Sequence, residues 1–333
     1  VSKPHIKLTA AEIAPIWTGY IGDSMANCIL RYFLASVEDN EIKSVVKFAL
    51  RLTEDHIQYK NELFKKEGLT LPLAFSSEDV NIQAPKLFSD LIILYFLRQM
   101  GIGGTVAYSL ALATSTRRDI REFFNTNLKS AAEVLDKATS FLLDRGLYVR
   151  TPHIATPSEP ERVQKESWLN GLLGDRRPLN AVEITHLHLN IQSNGLGIAL
   201  MMGFAQVAAD KEVRNMIVRA REIASKHIEL FTNFLRDDQL PAPSTLEAEV
   251  TASTVAPFSD RLMLFHTLSL TAIGMGNYGT AAAASPRRDL AAAYVRLAAE
   301  VGTYADDGAE LMIQKGWLEK IPGAIERDAL ITT

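Results

Sequence analysis

The chain has a single cysteine, Cys28, among 333 residues, so it forms no internal disulfide and suits a reducing compartment. Cys28 lies among apolar residues, the setting of a buried structural thiol rather than a nucleophile. An excess of one charge is also missing. The 35 Lys and Arg stand against 39 Asp and Glu, a net charge of −4 with no basic tract, which argues against nucleic acid as a partner. The opening "VSKPHIKLTAAE" has no apolar stretch of signal-peptide type, and the expectation is a cytoplasmic protein. No segment alternates apolar and polar residues as a half-buried strand does. There is no P-loop, cysteine pair, HExxH or Ser/His/Asp order, so an enzyme is not the favoured reading. From Leu262 to Pro286 there is no formal charge, and the run is long enough to span a bilayer. It holds His266, Asn277 and Tyr278, however, and its counterpart in the first half contains Arg98. A deeply buried helix is expected there, and no membrane span.

What is present is a sequence written twice. "LTAAEI" at Leu8 returns as "LNAVEI" at Leu179, and His56 returns as His227, both displaced by 171 residues. "LFSD" ending at Asp90 returns as "PFSD" ending at Asp260, displaced by 170, and "RRDI" at Arg117 returns as "RRDL" at Arg287. One small deletion near Glu78 accounts for the change. The organisation expected is copy one over 1–150, a linker over 151–178, and copy two over 179–333. Pro152, Pro157, Pro160 and Pro178 forbid a continuous helix in the linker. Within it "ESWLNGLLG" has the spacing for one short helix that docks on a neighbour.

Each copy reads as four long helices. In copy one the first starts at Thr9, with Glu12 at capping-box spacing, and ends near Ser36. The second runs from about Asn40 to Lys66 and stops at Gly68; the third from about Ser89 to Ser115; the fourth from about Arg118 to Arg145, before Gly146. The first and last connections are short. The middle one, Glu67 to Phe88, is long enough to travel the length of a bundle. The fold class expected is therefore all-α: two tandem ferritin-like four-helix bundles, each with a long crossover between its second and third helices. The third helix is apolar around most of its circumference, as in "LIILYFL" at Leu91, and a helix like that is covered on more than one side. It is expected to pack against its counterpart in the other copy or against a second chain, so protein partners or self-association through this helix are anticipated.

The histidine of the second helix falls at an inward position in both copies, where ferritin-like proteins hold metals. A two-metal site takes a glutamate from each of two helices and Glu-x-x-His from each of the other two. Residue 53 is threonine and residue 224 is alanine, so neither histidine has its glutamate. The one literal match, Glu183 to His186, lies in the first turn of its helix, with Pro15 in place of the histidine in copy one. No cofactor is expected. A buried histidine bonded to a neighbouring helix is favoured, His56 to Asp23 and His227 to Asn194; the alternative is an atypical iron, manganese or zinc site on those four residues, and a catalytic base is a further one.

The "RRD" pairs open the fourth helix of each copy, where arginine is unfavourable against the helix dipole. A partner is called for: Glu12 with Arg117 or Arg118, and Glu183 with Arg287 or Arg288. An anion site is the rival reading. "GMGNYG" at residues 274–279 satisfies G-x-G-x-x-G but lies inside a helical run, so tight helix packing or a kink accounts for it better than a dinucleotide.

The stretches "LTAAEI", "YFLASVED", "LFSD", "GLYVR" and "GDRRPLNAVEI" resemble a ferritin-like family of unknown function from endospore-forming bacteria, often two copies long and related to coat-F type spore coat proteins. The resemblance covers almost the whole chain and implies the bundle fold. For function it implies a spore-coat or mother-cell association and brings no catalytic residues. A non-catalytic structural or interaction protein is the function expected, with a metal-binding ferritin relative as the alternative.

Overall fold

A computed structural model of the protein describes residues 6–171 and 176–327. Two sets of four helices follow one another: α1 Ala10–Ser36, α2 Asn40–Glu67, α3 Asp90–Thr114 and α4 Arg118–Asp144, then α5 Ala181–Val207, α6 Lys211–Asp237, α7 Asp260–Ala284 and α8 Arg288–Gln314. Among the described residues the only β pairing is two isolated bridges. The helix boundaries follow local chemistry. Thr9 with Glu12, and Asn180 with Glu183, form complete capping boxes. The Asp39 side chain accepts the Glu41 and Ile42 amides at the start of α2, and Asp210 does the same for Glu212 and Val213 at α6. Gly68 ends α2 in the left-handed conformation. The equivalent position in copy two is Gln239, also left-handed at φ 57°, where a side chain is strained.

The path within a copy is up, down, down, up. Glu38 and Asp39, between α1 and α2, donate their amides to the Asp90 carboxylate at the start of α3. At the opposite end Glu12 of α1 meets the start of α4. The long connection after α2 must therefore climb the length of the bundle, as its length suggests.

The two crossovers clasp one another. Val80 bridges Phe258 and Phe88 bridges Val250, both antiparallel. Asn81 donates its amide to the Pro257 carbonyl at 2.8 Å, and Thr251 donates to Leu87 at 2.9 Å. Ser89 donates to Glu249 and Ser259 to Asp79, each at 3.0 Å. Under the 170-residue shift every one of these contacts maps onto another, so the copies are related by a pseudo-two-fold axis, as in an isologous dimer. Aromatic rings pack on that axis: Phe96 against its counterpart His266 at 5.7 Å, and Phe88 against Phe204 at 5.9 Å. The third helices meet each other at Phe96 and His266; their first halves, Ile92–Leu94 and Leu262–Leu264, are fully buried, but α3 packs chiefly on α4 of its own copy and, across the copies, on α5. The second halves remain open, with Val106 64% and Leu110 66% exposed. α3 has the length and composition to cross a membrane, but its first half is committed to this interior.

The linker carries a 3-10 turn at Glu166–Leu169; the last part of "ESWLNGLLG", residues 172–174, lies outside the described residues. The Arg177 guanidinium stacks 3.9 Å over the Trp168 ring and holds the turn against the start of α5.

The expected ion pairs take a different form. Glu12 reaches the backbone of Arg117, not its guanidinium: Oε1 accepts the Thr116 and Arg117 amides at 2.9 and 2.7 Å, while Oε2 accepts the Thr9 amide at 2.8 Å. One carboxylate thus closes the first turns of two helices, whose dipoles favour it. The Arg117 guanidinium turns to Glu67 and Asp119, and Arg118 faces solvent beside Glu122. In copy two Glu183 accepts the Arg287 amide but pairs bidentately with Arg177 of the linker. Arg287 turns to Asp289, and Arg288 to Glu166. Glu12 and Glu183 thus meet the expected helix starts through backbone donors, because the free amides of a helix start outcompete a side chain that must bend back to reach the same oxygen.

Glu12 is fully buried. Burial would raise its pKa, yet the Thr9, Arg117 and Thr116 amides hold it at about 2, below the usual 4.5. A depressed carboxylate stabilises the fold fully above its unfolded value and loses that contribution as pH falls toward 2. Replacing Glu12 with Gln is expected to lower unfolding free energy at pH 7 by roughly 2–3 kcal/mol. It should also flatten the loss of stability between pH 4.5 and 2. Urea denaturation across that range measures both, and a variant with the wild-type pH profile would contradict the assignment.

Candidate functional site

The second helix of each copy carries its histidine inward, and the two histidines live in different surroundings. The buried face of α2 runs through Ala49, Thr53, His56, Lys60 and Leu63, so Lys60, one turn after His56, points inward and Tyr59 only partly so. Lys60 is 1% exposed. Its Nζ lies 2.5 Å from Asp23 Oδ2 on α1, and His56 Nδ1 lies 3.4 Å from Asp23 Oδ1. The Tyr108 hydroxyl of α3 is also 3.4 Å from His56 Nδ1, and the Phe123 ring of α4 meets the imidazole edge-on at 5.9 Å. All four helices contribute. Burial pushes the Asp23 carboxyl up, but the Lys60 ammonium and the His56 imidazole outweigh it and hold the carboxyl below its usual range.

Copy two replaces this ion pair with a neutral chain. Phe231 stands at the place of Lys60 and Asn194 at that of Asp23. Asn194 Nδ2 donates to the Tyr278 hydroxyl at 3.0 Å, and that hydroxyl lies 2.9 Å from His227 Nδ1. His227 Nε2 faces Glu300 of α8 at 3.3 Å. Burial lowers the His227 pKa, with Glu300 acting in the opposite sense. Both ring nitrogens are therefore engaged, Nε2–H as donor and Nδ1 as acceptor.

The anticipated partners are thus placed on both histidines, Asp23 directly and Asn194 through Tyr278. The residues missed were Lys60, Tyr108, Tyr278 and Glu300. Lys60 carried a visible signal, since it lies one turn from His56. Among the described residues no three His, Cys, Asp or Glu side chains gather as a metal site would need; around Asp23 the third place is taken by an ammonium. Glu183 and His186 do not act together, for the Glu183 oxygens are held by Arg177 and backbone amides. "GMGNYG" is continuous helix within α7, and a Cβ on Gly274, Gly276 or Gly279 would meet nothing within 4 Å, so tight packing does not explain these glycines. Cys28 is buried, and burial pushes its thiol up to about 11, opposite to a nucleophile.

Comparison with known proteins follows the same duplication. A family described as "Protein of unknown function (DUF3231)" matches the chain twice, over residues 1–159 and 167–330. No curated protein matches. Among solved structures, a protein of Bacillus halodurans C-125 described as a "putative spore coat protein" is similar over 45% of this chain and 98% of its own. The two share 20% sequence identity with a TM-score of 0.41.

A buried ion pair that loses one partner strands the other charge. Lys60→Met is expected to cost roughly 3–5 kcal/mol of stability at pH 7. The double change Asp23→Asn with Lys60→Phe installs the neutral pair of copy two and should recover most of that loss. Chemical denaturation of the three proteins reads the difference; a double variant no more stable than Lys60→Met would show that the pair is not the unit.

Proposed function

We propose that this chain, which belongs to the DUF3231 family of proteins of unknown function, is a non-catalytic assembly unit that binds a second copy of itself through the open halves of α3 and α7. The observation that carries this reading is apolar surface left uncovered after both copies have packed. From Gln99 to Thr116, and from Leu262 to Pro286, no residue is charged. Val106 and Leu110 on α3, and Ile273 and Met275 on α7, remain exposed. Surfaces of this kind mark interaction sites.

A second copy is the occupant best suited to this surface. With no charge of its own, the surface offers nothing for a charged partner to complement, whereas two identical neutral faces meet without penalty. Ala107, Gly276, Gly279 and Ala283 let helices approach closely. The face is continuous with the first halves of α3 and α7, which meet near the two-fold axis at Phe96 and His266. The wider assembly in view is the spore coat, a reading supported by the resemblance of the sequence to coat-F type proteins. The up-down-down-up path supports the ferritin-like relationship on which that resemblance rests.

Light scattering after gel filtration tests the reading. The wild-type chain is expected at twice its 36.8 kDa mass, and Val106→Asp with Leu110→Asp should return it to the mass of one chain with helix content unchanged. A wild-type protein that remains a single chain at every concentration, or binds lipid vesicles instead, overturns it.

A further inference from the structure

The two copies carry equivalent cavities of unequal size, each open on one side. The one beside His227 measures about 70 Å³ and the one beside His56 about 290 Å³. The difference is written in five positions. Gly19, Gly22, Gly101, Gly103 and Ala131 line the larger cavity. At the same five places Asn190, Ser193, Thr271, Ile273 and Val301 line the smaller one. A Cβ placed on Gly22 or on Gly103 would meet no atom within 4 Å, so these glycines border open space and do not relieve a close approach.

The larger cavity lies between the copies. Met25, Leu52 and Met100 of copy one face it, as do Leu196, Leu200 and Leu270 of copy two; Ile273, which lines the smaller cavity, borders this one too. It is open on one side, where Ala107 and Ile273 are exposed, and an apolar recess of this size forfeits contacts that a filling group would supply. Its polar groups are few. Asp23 and His56 are engaged with each other and Lys60, the Tyr108 hydroxyl lies 3.4 Å from His56 Nδ1, Gln99 Oε1 accepts the Ser193 hydroxyl at 3.4 Å, and the Ser269 hydroxyl donates to the Phe265 carbonyl. His266 is different. It lines the cavity, is only 4% exposed, and its Nδ1 is buried without a hydrogen-bond partner, an arrangement that costs stability unless something completes it. Burial lowers its pKa to about 4, so the imidazole is neutral at pH 7. In copy one the same position is Phe96, so the histidine is not required by the fold.

We infer that this cavity binds one uncharged, largely apolar molecule of roughly a dozen non-hydrogen atoms, whose single hydroxyl or carbonyl group hydrogen-bonds His266. The size follows from the volume, about twice the ~150 Å³ that admits benzene. The lack of charge follows from the lining: Asp23 is already neutralised by Lys60, and an ionised group would enter with no counter-ion.

Isothermal calorimetry on the full chain with 1-naphthol as probe tests the assignment. Saturable binding of one molecule per chain is expected, since the copy-two cavity is too small. Gly22→Leu fills the space, and Gly103→Ile installs the copy-two residue; each should weaken binding at least about ten-fold without lowering the melting temperature. His266→Phe should weaken 1-naphthol by about three- to ten-fold, the worth of one hydrogen bond, and leave naphthalene unchanged. Ionised 1-naphthoate should bind less tightly than 1-naphthol. The Val106→Asp, Leu110→Asp variant should bind 1-naphthol like wild type, which separates this site from self-association. No saturable binding, binding unaffected by both filling variants, or tighter binding of 1-naphthoate overturns the inference.

Discussion

A connection that climbs the length of a bundle carries backbone amides and carbonyls that no helix satisfies, and burying them unpaired is costly. In this chain the two crossovers satisfy each other. The paired bridges at Val80–Phe258 and Phe88–Val250 supply the missing partners, and in doing so set the copies about a two-fold axis. The other inter-copy features follow from that clasp. Phe96 and His266 meet because they straddle the axis, and α3 packs across the seam on α5. The Arg261 side chain reaches Asp79 across the same seam, a contact whose mirror image would need a basic residue where Leu91 stands.

Within this symmetric frame the interiors have diverged. Copy one holds its histidine with a buried ion pair and leaves space beside it. Copy two holds the same histidine with a tyrosine, an amide and a surface glutamate, and fills the space with larger side chains. Duplication supplies the condition for such divergence: one bundle can lose packing while the other, clasped to it, retains a dense core. The cavity and the open apolar faces of α3 and α7 are two outcomes of the same geometry, because α3 and α7 both border the space between the copies before their ends separate.

Much of the fold was legible in the residues. The repeat, the eight helices, their caps at Thr9 and stops at Gly68 and Gly146, and the long crossover all rest on local chemistry or on chain length. The candidate site was partly legible. Period alone turned His56 and His227 inward and named Asp23 and Asn194 as neighbours. It missed Lys60, because a lysine on a charged helix reads as solvent-facing until a buried carboxylate is found opposite it. It gave Glu12 the arginine side chain when the nearer donors were backbone amides, which no residue letter displays.

What the sequence by itself determined is therefore the helical duplication and the inward histidines, since periodicity and capping act within a few residues. Only the tertiary structure decided the clasp between crossovers, the ion pair at Lys60, the unpartnered His266 and the unequal cavities. Each depends on groups far apart in the chain, brought together by packing that local pattern does not encode.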